Sequence, residues 1–298
     1  MKKLLLLVII ALSTQTIKAQ AIVLDANGVT IKWTGTTAPS PRWVQASPRG
    51  VLEWFAIVDN NTKSNITDYA KNVASGITYF TPTGSSSPIP FDNIVTTLVT
   101  DMYNMFKSAT AFNQPIDSWD VSNVTNMISM FYQATTFNQP IGSWDVSSVT
   151  TMVTMFNNAT AFNQPIGSWE VSNVIYMGFM FRSATSFNQP IGSWDVSNVT
   201  DMYSMFKSTT AFNQSIESWN VSKVTNMVGM FTNAGLSKAN YDATLIGWST
   251  IASTETVLQP NVVFDAGNSK YCNGASARSI LTSSPYNWTI TDGGQDCN

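Results

Sequence analysis

Residues 112–136 read FNQPIDSWDVSNVTNMISMFYQATT, and the same 25-residue pattern returns four times, starting at Phe137, Phe162, Phe187 and Phe212. A partial copy precedes them, with Val99, Met102, Met105 and Phe106 in the matching places, so the array spans residues 94–236. A fixed period of this length marks a chain built from repeated supersecondary units. One such unit is too short to enclose a core, so its stability must come from neighbours stacked in register.

Within a block the apolar positions follow two periods. Val124, Met127, Met130 and Phe131 are spaced i, i+3, i+6, i+7, one face of a short helix. Trp119 and Val121 are two apart, as on one side of an extended segment. Ser122 stands between them, where a hydroxyl can cap a helix start. The Asn113-Gln114-Pro115 connection resists helix continuation. The fold class expected is an α/β repeat solenoid: a right-handed, leucine-rich-repeat-like stack of short parallel strands and short helices.

The block FNQPIGSWDVSNVTxMxxMFxxAT resembles the BspA-like leucine-rich-repeat surface proteins, a repeat type also noted in mycoplasma surface lipoproteins and in Bacteroidetes. Five near-identical copies carry the resemblance across about half of the chain. It implies a secreted or cell-surface protein, with adhesion or binding to host and matrix partners. The sequence departs from the lipoprotein members in having no lipid-attachment cysteine in its first residues.

The ends of the array read differently. Residues 1–19 carry Lys2-Lys3, an apolar run from Leu4 to Leu12 and a small residue before Gln20, the order of a secretory signal too short to span a bilayer. Residues 20–93 are expected to form an N-terminal cap of mostly β character, with strand-like runs at 22–24, 29–33, 51–58 and 77–80 and a Gly-Ser-Pro loop or linker at 82–90. Residues 237–298 are expected to form an α+β C-terminal cap. It holds a helix started by Ser237, strands at 262–264 and 288–290, and a short helix near 275–281. Cys272 and Cys297 suit one disulfide in an exported chain, worth about 3 kcal/mol on a loop-entropy argument.

Composition excludes several chemistries. There is no histidine, so Ser-His-Asp and Cys-His nucleophiles, His-ligated zinc and His general bases are ruled out. Two cysteines cannot supply a four-thiolate zinc site. A net charge of -3 argues against nucleic acid or an anionic membrane as partner, and no later segment has membrane-spanning length. No cofactor is expected.

Three sets of positions are candidates for function. The tryptophans Trp119, Trp144, Trp169, Trp194 and Trp219 could form a sugar platform, but their phase with Val121 makes a buried ladder the first reading. The acidic row Asp120, Asp145, Glu170 and Asp195 would sit at about the 5 Å strand spacing. It reads first as solvated or bonded to nearby turns, and second as a calcium row. Asn113 and Gln114 read as rungs of amide ladders. Positions that vary between blocks offer a candidate binding surface at Tyr132, Tyr176, Arg182, Tyr203 and Lys207.

These readings lead to a non-enzymatic, secreted or cell-surface repeat protein that adheres to or binds a protein or polysaccharide partner. The alternative is a structural spacer within a larger surface layer. A carbohydrate-active enzyme using two carboxylates is the remote third, since the acids fall in a regular row and no pair stands out in the caps.

Overall fold

The computed structural model describes residues 21–40, 42–252 and 257–298. The signal sequence expected at 1–19 lies outside the described residues. β1 (Ile22–Leu24) and β2 (Ile31–Trp33) pair antiparallel across a turn at Asn27 and Gly28. β3 (Trp43–Ala46) pairs antiparallel with β4 (Glu53–Asp59), and β4 pairs parallel with β5 (Ile94–Leu98). The crossover from β4 to β5 carries α1 (Ser64–Ala70) and α2 (Ala74–Tyr79). Alternation along β4 sends Ala56 and Val58 into the long core shared with the repeats. Phe55 and Ile57 go to a smaller cluster with Ile22, Ile31, Trp33 and Val95.

The N-terminal segment is therefore not mostly β. The run at 77–80, expected as a strand, lies at the end of α2, a short apolar run that periodicity alone cannot assign. The stretch at 82–90 is no simple linker, because Ile89 is buried and its amide donates to the Phe80 carbonyl at 2.7 Å.

Between β5 and residue 238 the described chain contains no helix and no strand, only turns and single bridges. Strands elsewhere fall into three separate small sheets. The expectation of an α/β, leucine-rich-repeat-like solenoid is corrected by this finding. The reason lies in the backbone. In the segment read as a helix, every second amide donates within its block to the carbonyl three residues back, as Met130 does to Met127 and Tyr132 to Ser129. The amides between them leave the block: Ser129, Phe131 and Gln133 donate to the carbonyls of Val153, Met155 and Asn157. Chained turns satisfy the same apolar spacing as a helix, while half of the donors tie one block to the next.

This turn chain needs left-handed residues. Asn104, Ser129, Thr154, Phe179 and Ser204 have φ between 51° and 59°, and Gly229 completes their column at 69°. Single parallel bridges join Asp101, Asn126, Thr151, Tyr176, Asp201 and Asn226 in succession. Inside, Phe131, Phe156, Phe181 and Phe206 stack in order at 5.5 to 5.7 Å. Each indole Nε1 from Trp144 to Trp219 donates to the isoleucine carbonyl of the preceding block at 3.0 to 3.1 Å. An indole buried this way keeps its donor satisfied. Asn113 and Gln139 form the amide ladder: Asn113 Oδ1 accepts from the Asn138 amide at 2.9 Å and from Gln139 Nε2 at 3.1 Å.

Both flanks of the array imitate a missing block. At the start, Ile31 bridges Trp119, and Trp119 Nε1 donates to the Phe91 carbonyl at 2.8 Å. At the end, α3 (Lys238–Ala252) places Trp248 Nε1 3.3 Å from the Ile216 carbonyl, continuing the indole ladder. Asn240 Nδ2 takes the glutamine's place against Asn213, at 2.8 Å from its carbonyl. The helix approaches so closely at Gly247 that a Cβ there would lie 2.2 Å from the Glu217 carbonyl oxygen. β6 (Val263–Asp265) lies beside the last block, and its Asp265 carbonyl accepts from the Phe231 amide at 2.9 Å. α4 (Ala275–Thr282) and β7 (Thr289–Thr291), parallel to β6, complete this end. Cys272 and Cys297 form a disulfide with a Cα separation of 5.0 Å.

Candidate functional site

The acidic row caps turns. Asp120 Oδ1 accepts from the Ser122 amide at 3.2 Å and hydroxyl at 2.7 Å, and Asp145 does the same with Ser147 at 3.1 and 2.6 Å. Asp195 accepts from the Ser197 amide at 3.0 Å. Asn220 accepts from the Ser222 amide at 3.1 Å, so the position needs an oxygen acceptor rather than a charge. Glu170, one methylene longer, makes no such bond among the described residues. No three of Asp, Glu, Cys or His come together in a group able to hold a metal ion among the described residues.

The Ser197 hydroxyl and amide hold the Asp195 carboxyl below its ordinary value of 3.8. A carboxylate shifted down in the folded state stabilises the fold above its unfolded value, and that contribution fades as pH falls through the lower, folded value. Ser197→Ala therefore moves the Asp195 titration back toward the ordinary carboxylate range, a shift that NMR of the carboxyl carbons measures directly. An unchanged titration would show that the serine does not hold the charge.

The tryptophan row faces inward. Trp119, Trp144, Trp169, Trp194 and Trp219 are at most 3% exposed, which leaves no ring face for a ligand.

The varied positions form a surface of another character. Lys107, Tyr132, Asn157, Arg182 and Lys207 occupy one column, one residue from each successive block. Beside it runs the left-handed column. Between them lies an open groove of about 320 Å³ lined by Lys107, Ser129, Tyr132, Thr154, Asn157, Phe179 and Arg182. The Lys107 ammonium sits 5.6 Å from the Tyr132 ring centroid, and the Arg182 guanidinium 5.6 Å from that of Phe179. Tyr203 meets Phe179 edge-on at 4.8 Å. Of the residues proposed from sequence, the groove thus joins Tyr132 to Arg182. Tyr203 flanks it through Phe179, Lys207 extends its column, and Tyr176, half exposed, belongs to the separate bridge column. Lys107, Ser129, Thr154 and Phe179 were missed, while Asn157 stands in the varied column with Tyr132, Arg182 and Lys207. For Lys107 a signal existed, since it stands at the same phase as Arg182 and Lys207 but in the partial copy.

Two groove residues are strained. A left-handed backbone suits Asn and Gly, which occupy the first and last places of this column, but it is costly for a β-branched or bulky side chain. Thr154, at φ 56°, and Phe179, at φ 59°, adopt it in the middle of the array. Thr154→Asn is expected to raise stability by about 1 kcal/mol and the melting temperature by roughly 2–4 °C, read by calorimetry. A lower melting temperature would mean that the Thr154 hydroxyl, bonded to Ser129, outweighs the strain.

A larger hollow of about 430 Å³ lies where α1 meets the first block, between Tyr69, Phe91 and Phe112, and no charged side chain lines it. In the C-terminal cap Tyr241 and Arg278 both bond Asp292, at 2.8 and 2.7 Å, a link between α3, α4 and the end of β7. Burial, first of all, pushes the Tyr241 phenol far above its ordinary value.

A family model described as "Mycoplasma protein of unknown function, DUF285" matches residues 78–181, 142–244 and 166–265. No curated protein and no solved structure matches the chain. The three overlapping matches run together from 78 to 265, more than half of the sequence and all five full blocks, so the chain belongs to the DUF285 family of mycoplasma-type repeat proteins.

Proposed function

We propose that this protein is a non-enzymatic binding protein, secreted or held at the cell surface, whose varied repeat face engages a macromolecular partner. The observation that carries the reading is the groove, where cations and aromatic rings gather on the positions that differ between otherwise uniform blocks. Uniform interiors with varied exteriors are what a recognition array requires, because the stack is kept while the surface is tuned. The resemblance of the blocks to BspA-like surface proteins supports the same placement outside the cell and a role in adhesion.

Screening the purified protein on matrix-protein and glycan arrays tests this. Specific binding that Tyr132→Ala and Arg182→Ala weaken supports it. A blank on both arrays overturns it. A structural spacer is the competing reading, favoured by the two ends that imitate blocks. Removing residues 137–161, one whole block, leaves a spacer's function intact but breaks the register of a binding face.

A further inference from the structure

The repeat array carries four basic and eight acidic residues, yet three of the four bases, Lys107, Arg182 and Lys207, fall in a single column. The acidic row lies in another column, where Asp120, Asp145 and Asp195 are engaged with their serines. Lysines and arginines elsewhere are largely paired: Lys32, Arg42, Arg49, Lys63, Lys270 and Arg278 each meet a carboxylate. Among the described residues none of the three column cations has a carboxylate within ion-pair distance. No acid lines the groove beside them.

We propose that this column is a binding track for an acidic polysaccharide, laid along the stack with its carboxylate or sulfate groups on Lys107, Arg182 and Lys207. The proposal rests on the reading of the groove as a binding face and names its ligand. Two features select a glycan over an acidic peptide. First, the backbone under the groove offers no free edge, since the amides of Ser129, Phe131 and Gln133 are already bonded to the next block, so an extended peptide cannot add as a strand. Second, each cation at the groove is paired with a ring, Lys107 with Tyr132 and Arg182 with Phe179. An apolar surface beside a positive charge matches an acidic sugar, which presents a C–H face beside its anion. The strained backbone at Phe179 holds a ring at that place where Asn or Gly would relieve the strain. Because the chain as a whole is acidic, an unsegregated charge distribution would repel such a ligand.

The test is isothermal titration of the full chain with polygalacturonate, heparin and neutral dextran at low ionic strength. Lys107→Ala/Arg182→Ala, Phe179→Asn and, as control, Lys223→Ala are measured alongside. Lys223 belongs to the array but bonds Asn198, outside the column. The expected result is binding of at least one polyanion and none of dextran, weakened about tenfold or more by the double variant. Phe179→Asn weakens it without lowering the melting temperature, and Lys223→Ala leaves it unchanged. Equal losses in Lys223→Ala, unchanged affinity in the double variant, or equal binding of dextran would overturn the track. Failure to bind either polyanion by a protein that captures a matrix protein overturns the glycan assignment alone. Failure with every probe and on the arrays overturns the binding reading with it.

Discussion

Trp169→Ala is expected to lower the unfolding free energy by about 3–5 kcal/mol, the range for removing a large aromatic ring from a packed core. The ring is 3% exposed and stacks on Trp194 with centroids 6.4 Å apart. It also lies 6.4 Å from Phe156. Truncation would open a hole in the middle of the stack and take from the Ile141 carbonyl one of its two donors, the indole at 3.1 Å, leaving it the Trp144 amide at 3.2 Å. The lost hydrogen bond adds about 0.5–1.5 kcal/mol. Trp169→Phe retains much of the ring and loses the donor, so it separates the two contributions. Urea unfolding followed by tryptophan fluorescence and circular dichroism reads both variants. Position matters too: each block touches only its neighbours, so a fault in the third full block divides the array into two halves. A second unfolding transition, absent from the wild type, is the expected sign. A loss below about 1 kcal/mol would mean that the interior relaxes around the gap and that the ladder is not what holds the blocks together.

Asp242→Ala is the second large effect. This carboxylate belongs to α3, is buried, and accepts three backbone amides: Cys272 at 2.9 Å, Asn273 at 3.1 Å and Gly274 at 2.8 Å. Those amides lead into α4, whose first residue is Ala275, so the negative charge lies at the positive end of a helix. Hydrogen bonds to an ionised acceptor are worth about 1.5–3 kcal/mol each, and three amides share this one. With no acceptor in Asp242→Ala, a loss of about 3–5 kcal/mol follows. Asp242→Asn, which keeps one acceptor oxygen, should lose less. Because α3 supplies Trp248 to the ladder, loosening it should also expose the last block. Hydrogen exchange at Phe231 and Trp219 reports that directly, and exchange unchanged from wild type would show that the cap and the last block are independent.

How the blocks fold was only half legible in the sequence. The phase of Trp119 and Val121 with Val124, Met127, Met130 and Phe131 put these residues on the inside, and they and their counterparts in the later blocks are buried. The helix started by Ser237 and the short helix near 275–281 stand where their patterns put them, in α3 and α4. The Cys272–Cys297 pairing followed from there being two cysteines. Reading Val124, Met127, Met130 and Phe131 as a helix failed because apolar spacing reports which side chains point inward and says nothing of where the amides go. Left-handed residues such as Ser129 and Gln133 break the helix, and in the Ser129 column a glycine marks the position only in the last block, at Gly229. The acidic row, read first as solvated or bonded to nearby turns, does bond its turns, Asp120 to Ser122 two residues on.

What the sequence determined by itself was periodicity: five copies of one block, their shared interior, the two ends that differ, and the chemistries closed to a chain without histidine. Tertiary structure decided what those periods become. It sent alternate amides to the next block instead of into a helix, and brought Lys107 of the partial copy beside Tyr132 and, across the groove, Arg182. The physical reason is that side-chain burial is encoded locally, residue by residue, whereas the partner of a backbone amide or of a lone cation is chosen by neighbours 25 or more residues away in the chain.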